Sequence, residues 1–597
     1  MTTNETEAGE KMDRLNANLA KVEALSLKLA DVMSRHKPLR NELNSPEPEV
    51  FLNAATAYWQ GMIENPGKVL ENQLDLWSKS VKSFVDAQNM MLKGQFAAPQ
   101  DDTPTDRRFS HPLWKSHPYF NLLKQQYMRN AQAIQTAVSE LEGLATKDKQ
   151  RIDYFSQQII DMMSPTNFLG TNPEALERAV ETEGQSLVDG LENLIADLDA
   201  NNGELLVKLA DESAFEIGSN IATAPGKVVY RCRMFELLQF SPSTETVYET
   251  PLVIFPPWIN KYYILDLKEQ NSLIRWAVAQ GYTVFVVSWV NPDRSLADVG
   301  LDDYIEEGFL DAIAQVKEIT AQPQVNVVGY CIAGTTMHLT LSLMKQRGDE
   351  SVKSATFFTT LTDFGDQGEF TPFLQDDFID GIDEEIEEEG VLRSFIMQRT
   401  FSFLRSNDLI YTPAIKSYMM GEAPPAFDLL FWNGDGSGLP GKMAHQYLRD
   451  LCQSNKFVGE GLELCGETLK ISDVDIPTCS VTCETDHIAR WKDCYHGYQQ
   501  TKSRSKTFIV SQSGHIAGIV NPPSKKKYGH YTNSKLSLSA DEWMEEATFH
   551  EGSWWPRWDT WLSKKSGKQV EARVPGTGTH PAICDAPGEY VRKKALK

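Results

Sequence analysis

One short segment carries the clearest chemistry in this sequence: V-N-V-V-G-Y-C-I-A-G, residues 325–334. An apolar run leads into Gly329, then Cys331, then small residues that open a helix near Thr335. This is the layout of a nucleophile elbow, with Cys where Ser is usual. Small neighbours are needed because the nucleophile sits on a strained strand-to-helix turn where flanking side chains collide. Gly329 meets that demand, and Ala333, where the simplest motif has Gly, is small enough to fit. At a helix N-terminus the dipole favours a thiolate at Cys331. The next backbone amide, that of Ile332, then supplies half of an oxyanion hole. A Cys at a strand end also fits a buried, inert thiol, so the elbow alone leaves both readings open.

The chain order of possible partners favours the nucleophile. In folds with this elbow the acid follows a later strand and the histidine follows the last. After the apolar run 478–482 comes C-E-T-D-H, supplying Asp486; after 507–512 comes S-G-H-I-A-G, supplying His515. Both are C-terminal strand ends, the edge at which open α/β sheets build their sites. Glu484 and His487 compete, and adjacent residues point different ways, so one acid and one His complete the set. The second oxyanion donor belongs on the loop after the third core strand. That loop lies within P-L-V-I-F-P-P-W-I-N-K-Y-Y, residues 251–263, where Pro256 and Pro257 stiffen the chain and lack donors. The first free amide is that of Trp258. A zinc reading is disfavoured: Cys479, Cys483, His487, Cys494 and His496 cluster in sequence, but Cys479, Val481 and Cys483 share one strand face, and no common zinc spacing fits. Neither a phosphate loop nor a dinucleotide fingerprint is present. No metal or other cofactor is expected.

The elements that must hold these residues exceed one core, because the chain has 597 residues. The first ~210 residues show the apolar spacing of helices. Residues 16–34 (Leu19, Val22, Leu25, Leu27 and Leu29), 69–92 and 119–141 are expected helices, with Pro-rich loops at 36–49 and 97–112. From about Lys208, β-branched runs alternate with amphipathic windows such as 271–280 and 306–321. Strands are expected at 228–238, 247–255, 283–289, 325–330, 355–360, 478–482 and 507–512. That alternation predicts a parallel sheet with crossover helices on both faces. With the elbow, it gives an α/β-hydrolase fold with an inserted cap or lid, preceded by a mainly helical N-terminal domain. The domains divide as 1–207 and 208–597. The gap between 360 and 478 is too long for one crossover and must hold the cap, at about 362–450. The acidic run 376–389 within it reads as a solvated helix or loop.

Charge and composition narrow the function classes. Lys and Arg number 58 against 82 Asp and Glu, a net −24, which disfavours nucleic acid as a partner. No apolar run approaches the ~20 residues of a membrane-spanning helix, and the polar N-terminus does not resemble a secretory signal. Eight cysteines are too sparse for a disulfide scaffold, which suits the reducing cytoplasm.

The segments P-P-W-I-N-K-Y-Y-I-L-D-L, T-V-F-V-V-S-W-V-N-P-D, G-Y-C-I-A-G-T, T-F-S-F-L-R-S-N-D-L, F-D-L-L-F-W-N, D-H-I-A-R-W, S-G-H-I-A-G-I-V-N-P-P and G-S-W-W-P together resemble class I polyhydroxyalkanoate synthases. The resemblance runs over roughly residues 108–591, with the first ~100 only loosely alike. It implies Cys331 as nucleophile, His515 as base, Asp486 as its acidic partner, and the Trp258 and Ile332 amides as oxyanion hole. Three positions depart from the family: Trp258 stands where a smaller residue is common, Ala333 replaces a frequent Gly, and Arg490 replaces a frequent Pro.

The implied substrate is a (R)-3-hydroxyacyl thioester of coenzyme A. Transfer to a cysteine exchanges thioester for thioester, so little group-transfer potential is lost before a hydroxyl converts it to an oxoester. His515 or Asp486 is the base for that hydroxyl. The resemblance also implies a homodimer in the cytoplasm, associated with the growing polyester chain and the granule surface. The N-terminal helices and the tail tryptophans Trp554, Trp555, Trp558 and Trp561 are candidates to hold the polymer or the granule. Two other classes compete: a Cys-dependent hydrolase of thioesters or lactones, and a non-catalytic granule coat protein.

Overall fold

Apolar and β-branched runs from residue 226 onward build an 11-stranded mixed sheet. The computed structural model describes residues 2–34, 98, 100–141, 144–201, 203 and 205–595. The strands are β1 (Gly226–Arg231), β2 (Phe235–Phe240), β3 (Leu252–Phe255), β4 (Val284–Trp289), β5 (Val325–Tyr330), β6 (Val352–Phe358), β7 (Thr478–Cys483), β8 (Lys506–Ser511), β9 (His530–Thr532), β10 (Thr548–His550) and β11 (Cys584–Asp585). Their spatial order is β10-β9-β8-β7-β6-β5-β3-β4-β2-β1-β11. Strands β4, β3, β5, β6, β7 and β8 run parallel as neighbours. Strands β2 to β5 and β7 are buried along their whole length, which is why they read as unbroken apolar runs. This is the α/β-hydrolase architecture that the elbow implies.

The sheet departs from an all-parallel one at its flanks, where β1, β2, β9, β10 and β11 pair antiparallel. The single strand expected over 228–238 is a hairpin of β1 and β2, closed by the Cys232 amide donating to the Phe235 carbonyl at 3.0 Å. Its turn, C-R-M, has none of the Gly, Pro or Asn that mark turns. The strand expected over 247–255 breaks before Pro251, and Thr246–Tyr248 pairs instead with Gln569–Glu571 in a separate ribbon.

The chain divides into two compact units. One comprises residues 1–211, 371–373 and 399–425; the other holds 212–370, 374–398 and 426–597. In the first, the helix Thr2–Ser34 packs Leu25, Leu29 and Val32 against Ile195 and Leu198 of the helix Gln185–Ala200, while Leu27 is exposed. Residues 119–141 fall largely within the helix Pro118–Ser139. Part of the insertion between β6 and β7 belongs to this unit: Tyr418 donates its hydroxyl to Asp197 at 2.7 Å. A Cβ at Gly190 would lie 2.2 Å from the Tyr418 carbonyl oxygen, so only Gly allows that approach. The helix expected over 69–92 and the loop over 36–49 lie outside the described residues. No described helix is long and apolar enough to cross a membrane.

In the second unit the acidic run is the helix Asp376–Glu389, and it is anchored rather than simply solvated. Ile379 and Ile382 are buried on one face. Arg449 pairs with Asp383 at 2.7 Å, with Asp376 at 3.3 Å, and with Asp380.

Candidate active site

β5 ends at Tyr330 and the helix Ile332–Arg347 begins at Ile332, leaving Cys331 between them at φ 54° and ψ −125°. That conformation costs a non-Gly residue about 1–3 kcal/mol and persists only when its surroundings impose it. They do so here. The Cys331 amide donates to the Phe358 carbonyl at 2.8 Å, and its carbonyl accepts from Gly334 and Thr335 at 2.8 and 3.3 Å. The crowding falls on Gly329 and Gly334 rather than on position 333. A Cβ on Gly329 would lie 2.6 Å from the Gly334 Cα, and one on Gly334 would lie 2.0 Å from Thr360 Oγ1. Ala333 is buried and accommodated.

The loops leaving β7 and β8 bring Asp486 and His515 together. His515 Nδ1 lies 2.7 Å from Asp486 Oδ2, and the Cys331 side chain is near enough to the ring to raise its proton affinity. Asp486 Oδ1 accepts the amides of Ile488 and Ala489 at 2.8 and 2.9 Å. Both carboxylate oxygens are thus engaged, and the side chain is fully enclosed. Against an acceptor-only carboxylate, Nδ1 carries a proton and Nε2 is left for the sulfur. Burial alone would push the imidazole down, but the Asp486 carboxylate and the Cys331 sulfur outweigh it and hold His515 well above its usual range. Glu484, the competing acid, keeps its amide in the ladder, donating to the Ser511 carbonyl at 2.8 Å.

Several positioning residues were invisible in the sequence. Tyr330 donates its hydroxyl to the His515 carbonyl at 3.2 Å and stacks on the imidazole, with ring centroids 5.9 Å apart. The tail tryptophans are a correction to their expected exposure. Trp554, Trp555 and Trp558 are at most 1% exposed, so they present no surface to polymer. Instead Trp554 and Trp555 donate their indole N–H groups to the Gly518 and Ile519 carbonyls at 2.8 and 2.9 Å, fixing the loop that carries His515. Trp558 donates to Thr356 Oγ1 at 2.9 Å. An apolar body with one N–H suits this task, because the indole fills the core and ties one backbone carbonyl.

The Pro-Pro loop after β3 is pinned in the same manner. Trp289 Nε1 donates to the Pro256 carbonyl at 2.9 Å and Trp432 Nε1 to the Lys261 carbonyl at 2.7 Å. Between them the Ile259 carbonyl accepts the Ser437 amide at 3.0 Å. Trp258, in the middle, is 1% exposed. The Ile332 amide is at the first position of its helix, where no intrahelical acceptor exists. The segment Tyr447–Gln453, from the insertion, adds Tyr447 next to Trp258. Its ring meets Trp258 edge-on at 5.8 Å and Phe364 at 6.1 Å. Burial pushes its phenol far up, and the neighbouring Cys452 and Cys331 sulfurs add to this. Arg449, which pairs with the acidic helix, lies on the same segment. Burial pushes the thiols of Cys479, Cys483 and Cys494 up, that of Cys479 to about 12. Among the described residues no cluster of His, Cys, Asp or Glu is placed to hold a metal ion.

Such a row at three strand ends suits acyl transfer through a covalent sulfur intermediate. Residues 105–277 match the family described as poly-beta-hydroxybutyrate polymerase (PhaC) N-terminus, and residues 251–522 match the alpha/beta hydrolase fold. The chain is 37% identical over 560 residues to the poly(3-hydroxyalkanoate) polymerase of Methylorubrum extorquens, covering 94% of this chain and 92% of that protein. It is 38% identical over 541 residues to the poly(3-hydroxyalkanoate) polymerase subunit PhaC of Cupriavidus necator, covering 88% and 90%. The corresponding subunit of Rhizobium etli is 36% identical over 550 residues, covering 91% and 86%.

Proposed function

Because this chain belongs to the poly(3-hydroxyalkanoate) polymerase family, we propose that it builds polyester from (R)-3-hydroxyacyl-CoA through a thioester on Cys331. The observation that carries this reading is the Asp486–His515 hydrogen bond at 2.7 Å with the Cys331 side chain interacting with the same imidazole. In acylation Cys331, its thiol proton already passed to His515, attacks the thioester carbonyl with its sulfur. The tetrahedral oxyanion is held by the Trp258 and Ile332 amides. The C–S bond to CoA breaks, and the leaving sulfur takes the proton from His515. For elongation a 3-hydroxyl attacks the acyl-enzyme, its proton passes to His515, and Cys331 Sγ departs from the new oxoester. His515 rather than Asp486 is assigned this proton because both Asp486 oxygens are already engaged. The step sequence balances without a redox or metal partner.

Nothing in the row itself favours a hydroxyl over water, so the bias depends on water being kept out. Tyr447, packed on Trp258 and Phe364, supports a role for the insertion in that exclusion. The surroundings proposed for the enzyme, a homodimer in the cytoplasm at the surface of its polyester granule, are supported by the family resemblance alone. Purified protein given (R)-3-hydroxybutyryl-CoA should release free CoA and form turbidity that sediments as polyester. CoA release accompanied only by soluble 3-hydroxybutyrate would overturn the reading in favour of a thioesterase.

A further inference from the structure

We propose that Thr336 is a positioning residue for the oxyanion hole, acting through the indole of Trp258. This rests on the reading above, in which the Trp258 and Ile332 amides bind the oxyanion. The carrying observation is a continuous hydrogen-bond chain between those two residues. Trp258 Nε1 donates to Thr336 Oγ1 at 3.2 Å, and the same hydroxyl donates to the Ile332 carbonyl at 3.1 Å.

The need for such a tie follows from the sheet. The β3–β5 ladder ends with Phe255 opposite Gly329. Beyond that pair the two donor segments leave the sheet, one into the Pro-Pro loop and the other into the elbow. Each is anchored on its own side: the loop by Trp289 and Trp432, and the elbow by the Cys331 carbonyl, which accepts from Gly334 and Thr335. The Thr336 hydroxyl joins the two. A helical Thr commonly turns its O–H toward the carbonyl four residues back, which leaves a lone pair for the indole. An Oγ that accepts and donates at once strengthens both bonds. Trp258 and Thr336 are 1% and 2% exposed, so bulk water does not compete. The indole is also wedged between Tyr304 and Tyr447, at 5.7 and 5.8 Å, which blocks its rotation. The spacing of the two amides is therefore set by one hydroxyl, and transition-state stabilisation depends steeply on that spacing.

Two variants separate this role from packing. Thr336→Val keeps the branched shape and removes both bonds. Trp258→Phe keeps an aromatic ring between the two tyrosines, removes the N–H and trims the rest of the five-membered ring, so Thr336→Val is the cleaner of the two. Each should lower kcat for CoA release by about 10–100-fold with KM within about 2-fold, since the hole acts on the transition state. The double variant should be no slower than the slower single, because both cut one chain. Thr336→Ser, which keeps the hydroxyl, should recover most of the lost kcat. Should Thr336→Val fail to fold, the kcat of Trp258→Phe decides alone. Undiminished kcat in the folded variants, or losses that multiply in the double variant, overturn the proposal. Failure of the underlying reading looks different: a Cys331→Ala protein that still binds acyl groups covalently would dismiss the nucleophile, whatever Thr336 does.

Discussion

Replacing Asp486 by Asn keeps the shape of the side chain and inverts one hydrogen bond. In the native protein Oδ1 accepts two amides, at 2.8 and 2.9 Å, while Oδ2 faces His515 Nδ1 at 2.7 Å. The Asn oxygen must stay with the two amides, because turning it away would set its NH2 against two other donors. That leaves the NH2 facing Nδ1, so the ring must accept there and carry its proton on Nε2. The nitrogen that should take the thiol proton is then already protonated. A loss of this kind costs about 10⁴-fold in rate, about 5 kcal/mol of transition-state stabilisation. Stability should suffer much less, because the two amide bonds survive. Asp486→Ala strands both amides; at about 1–3 kcal/mol for each buried orphan donor, it should unfold more easily than Asp486→Asn. The assay is single-turnover acylation with labelled substrate, alongside urea unfolding of both variants. An Asn variant within about 10-fold of wild type would refute the argument, as would Asn and Ala variants of equal stability.

Other perturbations follow from the same geometry. Gly334→Ala gains about 1 kcal/mol of helix propensity but sets a Cβ 2.0 Å from Thr360 Oγ1. Overpacking of about 1–3 kcal/mol therefore wins, and both the unfolding midpoint and the acylation rate should fall; a stabilised variant would show that the elbow relaxes freely. Trp554→Phe removes the N–H held by the Gly518 carbonyl at 2.8 Å. It should slow acylation and cost about 1–3 kcal/mol in stability, since part of the buried ring goes with the hydrogen bond, and an unchanged rate would dismiss the tail's role at His515. The raised proton affinity of His515 should appear in 13C-labelled histidine spectra as a ring that stays protonated above the ordinary value of about 6.5. Its sign is fixed by linkage: the stabilisation is fully present below about pH 6.5 and is lost as pH rises through the folded value. In Asp486→Asn burial should dominate and the titration should move below 6.5; an unmoved titration would remove Asp486 as the cause.

The chemistry-bearing residues were legible because each is the end of an apolar strand, and strand order is written in the chain. That order pointed to Cys331, Asp486 and His515 but left Glu484 and His487 as competitors, and the choice among them came from the family resemblance. What held them was not legible, because it depends on contacts between distant segments. Gly334 looks like any helix residue until Thr360 is placed against it. Trp554, Trp555 and Trp558 read as an aromatic patch on a tail, yet their N–H groups answer carbonyls and a hydroxyl of other segments. Tyr330 reads as one more strand aromatic, although its hydroxyl reaches the His515 carbonyl. The acidic run carried two messages. Its charges suggested water, and only the structure shows that Ile379 and Ile382, three residues apart, share a buried helical face. The β1–β2 hairpin was missed because C-R-M lacks turn residues, and tertiary pairing overrode that local signal.

If Cys331 carries the acyl group as a thioester, a substrate that can acylate but not elongate should leave that group on the protein. Butyryl-CoA lacks the 3-hydroxyl, so an acyl-enzyme formed from it has no chain to extend. Mass spectrometry of the acid-quenched protein should show one butyryl group per chain, carried by the Cys331 peptide, released by hydroxylamine and absent from Cys331→Ala. Butyryl found on another residue, or CoA released by wild type with no adduct while Cys331→Ala does the same, would contradict the account.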